Sequence, residues 1–215
     1  MSDILELEAN DLAAMLCSRI CHDLINPVGA IGNGLEVLAD PSQGEMAPFA
    51  RDLIANSAKQ AQAKLEFARL AFGASSTAGT EFDTRECERV GKILFEIEKA
   101  DLDWTVAPML LPKNKAKMLM NMLLVASQAV PRGGLVKVAV EGEAGVESFH
   151  ISATGQKVLM PSGVELLVAA DVEHGVDARG IQPFYTGLLA RLSGMVLNLA
   201  LADEEFTFTA VPAAA

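Results

Sequence analysis

The feature of this 215-residue chain that most constrains its fold is an apolar periodicity running through residues 8–38. Large aliphatic side chains recur there every three or four positions, as expected for one face of a long amphipathic helix. This apolar stripe consists of Leu12, Leu16, Ile20, Leu24, Val28, Ile31, Leu35 and Leu38. Turn-forming residues at 40–44 end it, and alanine-rich apolar spacing predicts a second helix over residues 45–72. Two long helices joined by a short turn make a helical hairpin.

A lone hairpin with such wide apolar stripes cannot bury both of its faces. Two copies paired across a two-fold axis would form a four-helix bundle and cover the remaining apolar surface. We therefore expect a homodimer. The alternative is that the C-terminal half of the same chain covers the hairpin.

The remainder of the chain predicts a mixed α/β domain. Small residues at 73–79 suggest a linker between a hairpin domain at 1–76 and a second domain at 80–215. The predicted helices of the second domain cover residues 84–99, 113–130, 163–170 and 183–193. Its predicted strands cover residues 102–106, 135–141, 146–153, 195–201 and 206–211, the last four as two hairpins. The fold class is thus α + α/β, a helical bundle followed by an α/β sandwich.

Composition excludes several functions. A net charge of −11 makes nucleic acid an improbable partner. No apolar run approaches the roughly 18–20 residues that a membrane span needs, and the acidic N-terminus lacks the basic region of a secretory signal. We therefore expect a cytoplasmic protein that binds no membrane. The three cysteines do not predict a disulfide framework, and Cys17 and Cys21 are expected to pack as buried apolar residues.

The face of the first helix opposite the apolar stripe carries a histidine, His22. With each residue turning the helix by 100°, four polar or small residues fall within about 40° of His22, and Arg19 lies about 60° away. The four are Ser18, Asn26, Gly29 and Asn33. A core histidine would lie in the apolar stripe, whereas His22 lies on the open, polar face of the helix. Gly29 leaves space through which another protein could approach the imidazole.

The residues around His22 suit phosphoryl chemistry. A neutral imidazole nitrogen is a competent nucleophile toward phosphorus near physiological pH. Asp23 could accept a hydrogen bond from the other ring nitrogen, Arg19 could balance phosphoryl charge, and Asn26 could orient a water or a partner's carboxylate. Pro27 has no N–H, and its ring crowds the carbonyl of Asp23, so the helix should bend locally.

The run His-Asp-x-x-Asn-Pro at residues 22–27 resembles the phosphoacceptor motif of dimeric sensor histidine kinases, His-Glu/Asp-x-x-Thr/Asn-Pro. His22, Asp23, Asn26 and Pro27 match it position by position. The resemblance implies that His22 accepts a phosphoryl group, that Asp23 assists transfer, and that Asn26 supports phosphatase activity. These three are the candidate catalytic residues. The candidate partner-binding residues are Ser18, Arg19, Gly29 and Asn33.

Sensor kinases follow this hairpin with an ATP-binding sandwich, and the order of elements after residue 80 is similar to that domain. Its nucleotide motifs, however, are degraded here. In the Asn-x-x-x-Asn motif that begins at Asn121, Val125 replaces the second, magnesium-binding asparagine and has no oxygen ligand to offer. Ala153 replaces the aspartate that reads adenine, and Lys157 replaces the second glycine of that motif. The phosphate-wrapping Gly-x-Gly loop is missing from residues 179–183.

A phosphoacceptor without an ATP site cannot phosphorylate itself and must receive the group from a partner. Nearly the whole chain resembles the ChpT-like family of histidine phosphotransferases, in which a dimeric hairpin precedes a kinase-like domain that does not bind ATP. Residues 71–75 and 82–86 add to this resemblance. It implies a phosphorelay from the receiver domain of a hybrid histidine kinase to the receiver domains of response regulators. It also implies no cofactor in this chain, with Mg²⁺ bound by the partner receiver.

Two other functions remain open from the residues alone. One is an ATP-dependent sensor-type kinase with an atypical nucleotide site, and the other is a non-catalytic module that only docks receivers. A phosphatase activity also stays open because of Asn26. His150, in a predicted strand, and His174, in a predicted loop, are interpreted as structural or solvated residues. Trp104 and Tyr185 are expected in the core or at a domain interface.

Overall fold

The computed structural model describes residues 7–73, 81–143, 145–167, 176 and 180–213. Most of the predicted linker at 73–79 and His174 lie outside these ranges. None of the helices in the described part of the chain is long and apolar enough to cross a membrane.

Residues 7–73 form the predicted helical hairpin. Helix α1 spans Ala9–Ala39 and helix α2 spans Ala47–Ala71, and a 3-10 turn at Pro41–Met46 joins them. The Asp40 carboxylate begins this turn by accepting a hydrogen bond from the Ser42 backbone N–H at 2.9 Å. Both predicted helices and the turn between them are confirmed.

The two helices of the hairpin approach closely near the turn because small residues face each other there. Gly34 on α1 is buried, and a Cβ atom at this position would lie 2.6 Å from Cγ1 of Ile54. Ala50 on α2 is also buried beside it. This close contact sets the spacing of the helices and therefore the alignment of α1 residues with α2 residues further up the hairpin.

The second domain is built around a mixed five-stranded sheet. Its strands are β2 (Ala100–Trp104), β4 (Gly134–Glu141), β5 (Ser148–Thr154), β6 (Met195–Ala202) and β7 (Glu205–Pro212). Their order in the sheet is β2-β4-β5-β7-β6, and only the β2–β4 pair is parallel. Both predicted strand hairpins, β4–β5 and β6–β7, are present. A separate antiparallel pair joins β1 (Glu81–Asp83) to β3 (Leu110–Pro112).

Helices cover one face of the five-stranded sheet and make the core with it. They are α3 (Thr84–Phe95), α4 (Lys113–Gln128) and α5 (Ile181–Leu192). Along β5 and β7, alternate side chains such as Phe149, Ile151 and Phe208 are buried against Leu119 and its neighbours on α4. The residues between them face outward and are more exposed, which is the alternation of a two-layer α/β sandwich.

Several boundaries differ from those predicted. Helix α3 ends at Phe95 rather than at residue 99, because the following residues turn so that Ala100 can pair with Gly134 in the parallel ladder. The predicted helix over 163–170 is a 3-10 turn at Val164–Leu167 where the structure describes it. Strands β1 and β3 were not predicted, since three-residue strands are too short to produce a recognisable alternation.

The hairpin and the second domain share one core. Helix α2 packs on α3 and α4, and α1 packs on α5. The rings of Phe72 and Tyr185 lie 6.0 Å apart at this junction, and Nη2 of Arg89 on α3 donates to Oε1 of Glu66 on α2 at 2.6 Å. The C-terminal half therefore covers only part of the hairpin. Eight large apolar residues elsewhere on the hairpin remain exposed, here called the open apolar surface: Ile25, Val28, Leu35, Leu38, Met46, Phe49, Leu53 and Leu65.

The cysteines divide into two groups. Cys87 is buried in the core of the second domain, and burial raises the pKa of its thiol to about 12. Cys17 and Cys21, in contrast, are exposed in the single chain, so the expectation that they are buried within the chain is wrong. They lie on the side of α1 that neither α2 nor the second domain covers.

Candidate functional site

The candidate site lies at the middle of α1, on the side that faces solvent. The His22 side chain is 74% exposed. The four residues placed within about 40° of it around the helix axis are exposed as well: Ser18, Asn26, Gly29 and Asn33. An added Cβ on Gly29 would meet no atom within 4 Å, so the face of α1 about two turns beyond the histidine is open.

A carboxylate lies directly beside the imidazole. Oδ1 of Asp23 is 3.6 Å from Nδ1 of His22, and its other oxygen accepts a hydrogen bond from Nε of Arg19 at 3.0 Å. Adjacent residues on a helix usually diverge, so the sequence offered little support for this pairing. The structure brings the two together, because Arg19 one turn earlier holds the carboxylate on the side of the histidine.

Arg19 is the one candidate partner-binding residue that already has a partner. Its side chain is only 21% exposed, and its Nε is engaged by Asp23. The guanidinium therefore lies at the base of the site rather than projecting toward an approaching protein. It lines a small cavity of about 90 Å³ between the hairpin and the second domain, together with Asp23, Lys64 and Phe67.

Lys64 on α2 is a member of the site that sequence reasoning missed. Its Nζ donates a hydrogen bond to the backbone carbonyl of Asp23 at 3.3 Å. The signal for such a donor was present in the sequence, since Pro27 cannot supply the helical N–H to that carbonyl. Which side chain supplies it instead depends on how α2 aligns with α1, and no local pattern predicts that alignment.

The positions that would read a nucleotide in a sensor kinase are used for packing here. The side-chain amide of Asn121 donates to the backbone carbonyls of Ala71 at 3.0 Å and of Lys117 at 2.9 Å. Asn121 and Val125 are both 0% exposed. The asparagine thus ties α4 to the end of α2, and neither residue is accessible to a ligand.

The beginning of the second degraded motif, at residues 153–155, is also occupied by packing contacts. Ala153 is fully buried in β5, between Val136 on one neighbouring strand and Phe206 on the other. Two residues further on, a Cβ atom at Gly155 would lie 2.6 Å from the Gly133 carbonyl, so the loop is closed against the neighbouring turn. An adenine ring has no aspartate to recognise it at this place.

Three other residues that the sequence analysis considered, His150, Tyr185 and Trp104, all belong to the second domain. His150 faces outward from β5, and its Nε2 lies 3.9 Å from Oε2 of Glu141. Burial at the junction of the hairpin with the second domain raises the pKa of the Tyr185 phenol. Trp104 packs against the core. No group of three or more His, Cys, Asp or Glu side chains that could hold a metal ion occurs in the part of the chain that the structure describes.

The fold and the site together define a histidine-containing phosphotransfer protein, because an exposed helical histidine lies beside a carboxylate and the joined α/β sandwich buries Asn121, Val125 and Ala153. The family model for the histidine phosphotransferase C-terminal domain matches residues 84–205. Protein phosphotransferase ChpT of Brucella abortus (strain 2308) is 44% identical over 211 residues, which cover 98% of this chain and 100% of that protein. The chain therefore belongs to the histidine phosphotransferase family.

A solved phosphotransferase structure agrees with this assignment. The 1.7 Å structure of a bacterial phosphotransferase superposes with a TM-score of 0.89 at 44% identity, over 96% of this chain and 98% of that one. A histidine kinase domain from Erythrobacter litoralis aligns with a TM-score of 0.48 at 11% identity, over 87% of this chain and 95% of that one.

Proposed function

We propose that this protein is a phosphorelay histidine phosphotransferase in which His22 carries a phosphoryl group between the aspartates of receiver domains. The observation that carries the proposal is the geometry at His22. The imidazole is exposed, and its Nδ1 lies against a carboxylate that Arg19 holds in place. A nucleophilic nitrogen is thus presented outward, on a face open to another protein.

The proposed reaction is a reversible in-line transfer. Because Nδ1 lies 3.6 Å from the Asp23 carboxylate, we assign the ring N–H to Nδ1 and the attacking electron pair to Nε2. Nε2 attacks the phosphorus of the receiver's aspartyl phosphate, an N–P bond forms, the acyl phosphate P–O bond breaks, and the aspartate leaves as a carboxylate. The ring becomes positively charged on phosphorylation, and the Asp23 carboxylate stabilises that charge. Positioning supplies most of the catalysis, as in other phosphoryl transfers.

Asn26 and Asn33 follow the histidine on the exposed face, about one and three turns further along α1, and we assign Asn26 to orient the acceptor carboxylate or an attacking water. Ser18, Asn33 and Gly29 are assigned to the docking surface. The magnesium ion of the reaction is assigned to the partner receiver, as the family resemblance implies.

The partners we propose are the receiver of a hybrid kinase and those of response regulators. Gly29 offers a direct way to test that they approach over this face. A leucine there meets no atom of this protein within 4 Å of its Cβ and occupies the open face of α1 about two turns beyond His22. Gly29→Leu should therefore keep the fold and lower the rate of transfer by weakening receiver binding.

The open apolar surface of the hairpin supports a homodimer. Ile25 and Phe49 are each 67% exposed in the single chain. Monomeric proteins rarely leave a large set of apolar side chains on one substructure in water. A second copy fits this surface because a two-fold axis brings the same apolar residues of both hairpins together in a four-helix bundle.

An ATP-dependent kinase is the weaker alternative, because Asn121, Val125 and Ala153 are buried and engaged in packing. A module that only docks receivers would not need the arrangement of Arg19, Asp23 and His22. The experiment below separates all three functions.

The test is to incubate the full chain with a receiver labelled at its aspartyl phosphate. The wild type should take up an acid-labile label, His22→Ala should take up none, and His150→Ala should behave as the wild type, since His150 lies on the sheet of the second domain. Label from ATP without a receiver would favour the kinase. If receivers bind but none of them transfers label to this protein, the docking module is the remaining function.

A further inference from the structure

We infer that Lys64 of α2 is a positioning residue for phosphoryl transfer at His22, acting through the hydrogen bond from its ammonium group to the backbone carbonyl of Asp23. The inference rests on the proposed function. It adds a residue from the second helix of the hairpin to a site whose other members all lie on the first.

The carbonyl of Asp23 needs this donor because of Pro27. In an α-helix, the carbonyl of residue 23 accepts from the N–H of residue 27, and proline has no N–H. Helix α1 continues through Pro27, which is buried. The break in the hydrogen-bond ladder thus falls on the residue that follows the histidine.

Lys64 reaches this carbonyl from the neighbouring helix. Its Nζ lies 3.3 Å from the Asp23 oxygen, and the side chain is half-buried at the small cavity beneath the site. A charged donor makes a stronger hydrogen bond to a carbonyl than a neutral one. The bond therefore fastens the proline-interrupted turn of α1 to α2.

Residue 23 is consequently held at two points. Lys64 holds its backbone, and Arg19 holds its carboxylate at 3.0 Å. His22 is the adjacent residue in the chain, so the orientation of its ring depends on the same turn. Loss of the Lys64 bond would free that turn to move, and small displacements of a reacting group slow a transfer reaction strongly.

The first test is the substitution Lys64→Met, measured as the single-turnover rate of transfer from a phosphorylated receiver at increasing receiver concentration. We expect the maximal rate to fall about tenfold or more, as for other misplaced reacting groups, with the half-saturating receiver concentration unchanged. Lys64→Arg should restore most of the rate, since a guanidinium can also donate. Lys59→Met is the matched control, because Lys59 is exposed on the same helix, and its maximal rate should equal that of the wild type.

The second test replaces the missing N–H. Pro27→Ala gives residue 27 a donor for the Asp23 carbonyl, so Lys64→Met should cost far less in the Pro27→Ala background than in the wild type. Equal losses in both backgrounds would overturn the inference, as would wild-type kinetics for Lys64→Met. A change confined to the half-saturating concentration would also overturn it, since it would mean that Lys64 only binds the receiver. If the wild type itself takes up no label, the proposed function fails instead.

Discussion

At the scale of single residues, the polar side chains buried in the second domain make contacts within the chain. Asn121 uses its amide to join α4 to the carbonyl of Ala71 at the end of α2. Lys115 and Glu147 form a buried ion pair that fastens the β4–β5 loop to α4. These groups make contacts within the chain rather than with a ligand: Asn121 supports the domain junction, and the ion pair supports the second domain.

Removing the Asn121 amide should therefore destabilise the protein. Asn121→Ala leaves the carbonyls of Ala71 and Lys117 without this donor and opens a small cavity, and we expect a loss of about 2 kcal/mol in the free energy of unfolding. Urea denaturation measures it. Asn114→Ala, on the exposed start of the same helix, is the control and should change stability by less than about 0.5 kcal/mol. Equal stability of the two variants would contradict the structural role.

The Lys115–Glu147 pair predicts a pH dependence. Burial by itself would raise the pKa of the Glu147 carboxyl, but hydrogen bonds from Lys115 and from the Gly145 N–H outweigh it and hold the pKa below its usual value. A depressed pKa in the folded state stabilises the protein above the unfolded pKa of about 4.3, and this stabilisation is lost as the pH falls through the folded pKa.

Glu147→Gln should lower stability at pH 7 by about 3 kcal/mol, because Lys115 then stays buried without a counter-charge. The difference from the wild type should shrink as the pH is lowered below about 4. Urea denaturation between pH 3 and pH 7 would measure both effects. Glu143→Gln, in the exposed loop nearby, is the control and should leave the profile unchanged. A constant difference across this pH range would rule out the assigned ion pair.

At the scale of elements, the packing of helix α5 depends on one glycine. Gly187 lies against the carbonyl of Leu167, so closely that a Cβ atom would overlap it. Leu167 ends the 3-10 turn that packs on α5. The absence of a side chain thus allows the turn to lie on the helix and completes the cover over this end of the sheet.

Gly187→Ala should accordingly lower the free energy of unfolding by about 2 kcal/mol, even though alanine is the better helix former. The matched control is Gly29→Ala on α1, where a Cβ meets nothing within 4 Å. That variant should gain up to about 1 kcal/mol from helix propensity alone. Thermal unfolding of both variants provides the comparison, and two shifts of the same sign would refute the close contact.

At the scale of the whole molecule, one side of the hairpin is covered by the second domain and another is left apolar and open. The covered side holds Phe67, Leu70 and Ala71 in the shared core. The open apolar surface has no partner within the described residues, and His22 lies on the same helix as four of its members. Dimer formation through this surface would place two phosphoacceptor sites on one bundle.

Val28→Glu should disrupt the proposed dimer, because it places a charge within the open apolar surface. Analytical ultracentrifugation should give twice the chain mass of 22.7 kDa for the wild type and the single mass for the variant. Leu192→Glu is the matched control, since Leu192 is an equally exposed apolar residue of the second domain, and it should stay dimeric. A monomeric wild type would rule out the proposed dimer.

Much of the hairpin and of the exposed histidine face could be predicted because both follow from helical periodicity. The stripe from Leu12 to Leu38 and the position of His22 opposite it depend only on the 100° turn per residue. The short strands β1 and β3 and the end of α3 could not be predicted, because pairing with distant residues decides them. The exposure of Cys17 and Cys21 likewise depends on which neighbours pack against α1.

The features of the site can likewise be separated into those that were predictable from the sequence and those that were not. The sequence alone determined that His22, Asp23 and Asn26 share a stretch of helix, and that Pro27 leaves one carbonyl of that stretch without its donor. Only the tertiary structure decided that Lys64 supplies this donor and that Asn121 is buried at a domain junction. Positions along one helix are set by local geometry, whereas contacts between elements distant in sequence are set by how their surfaces pack.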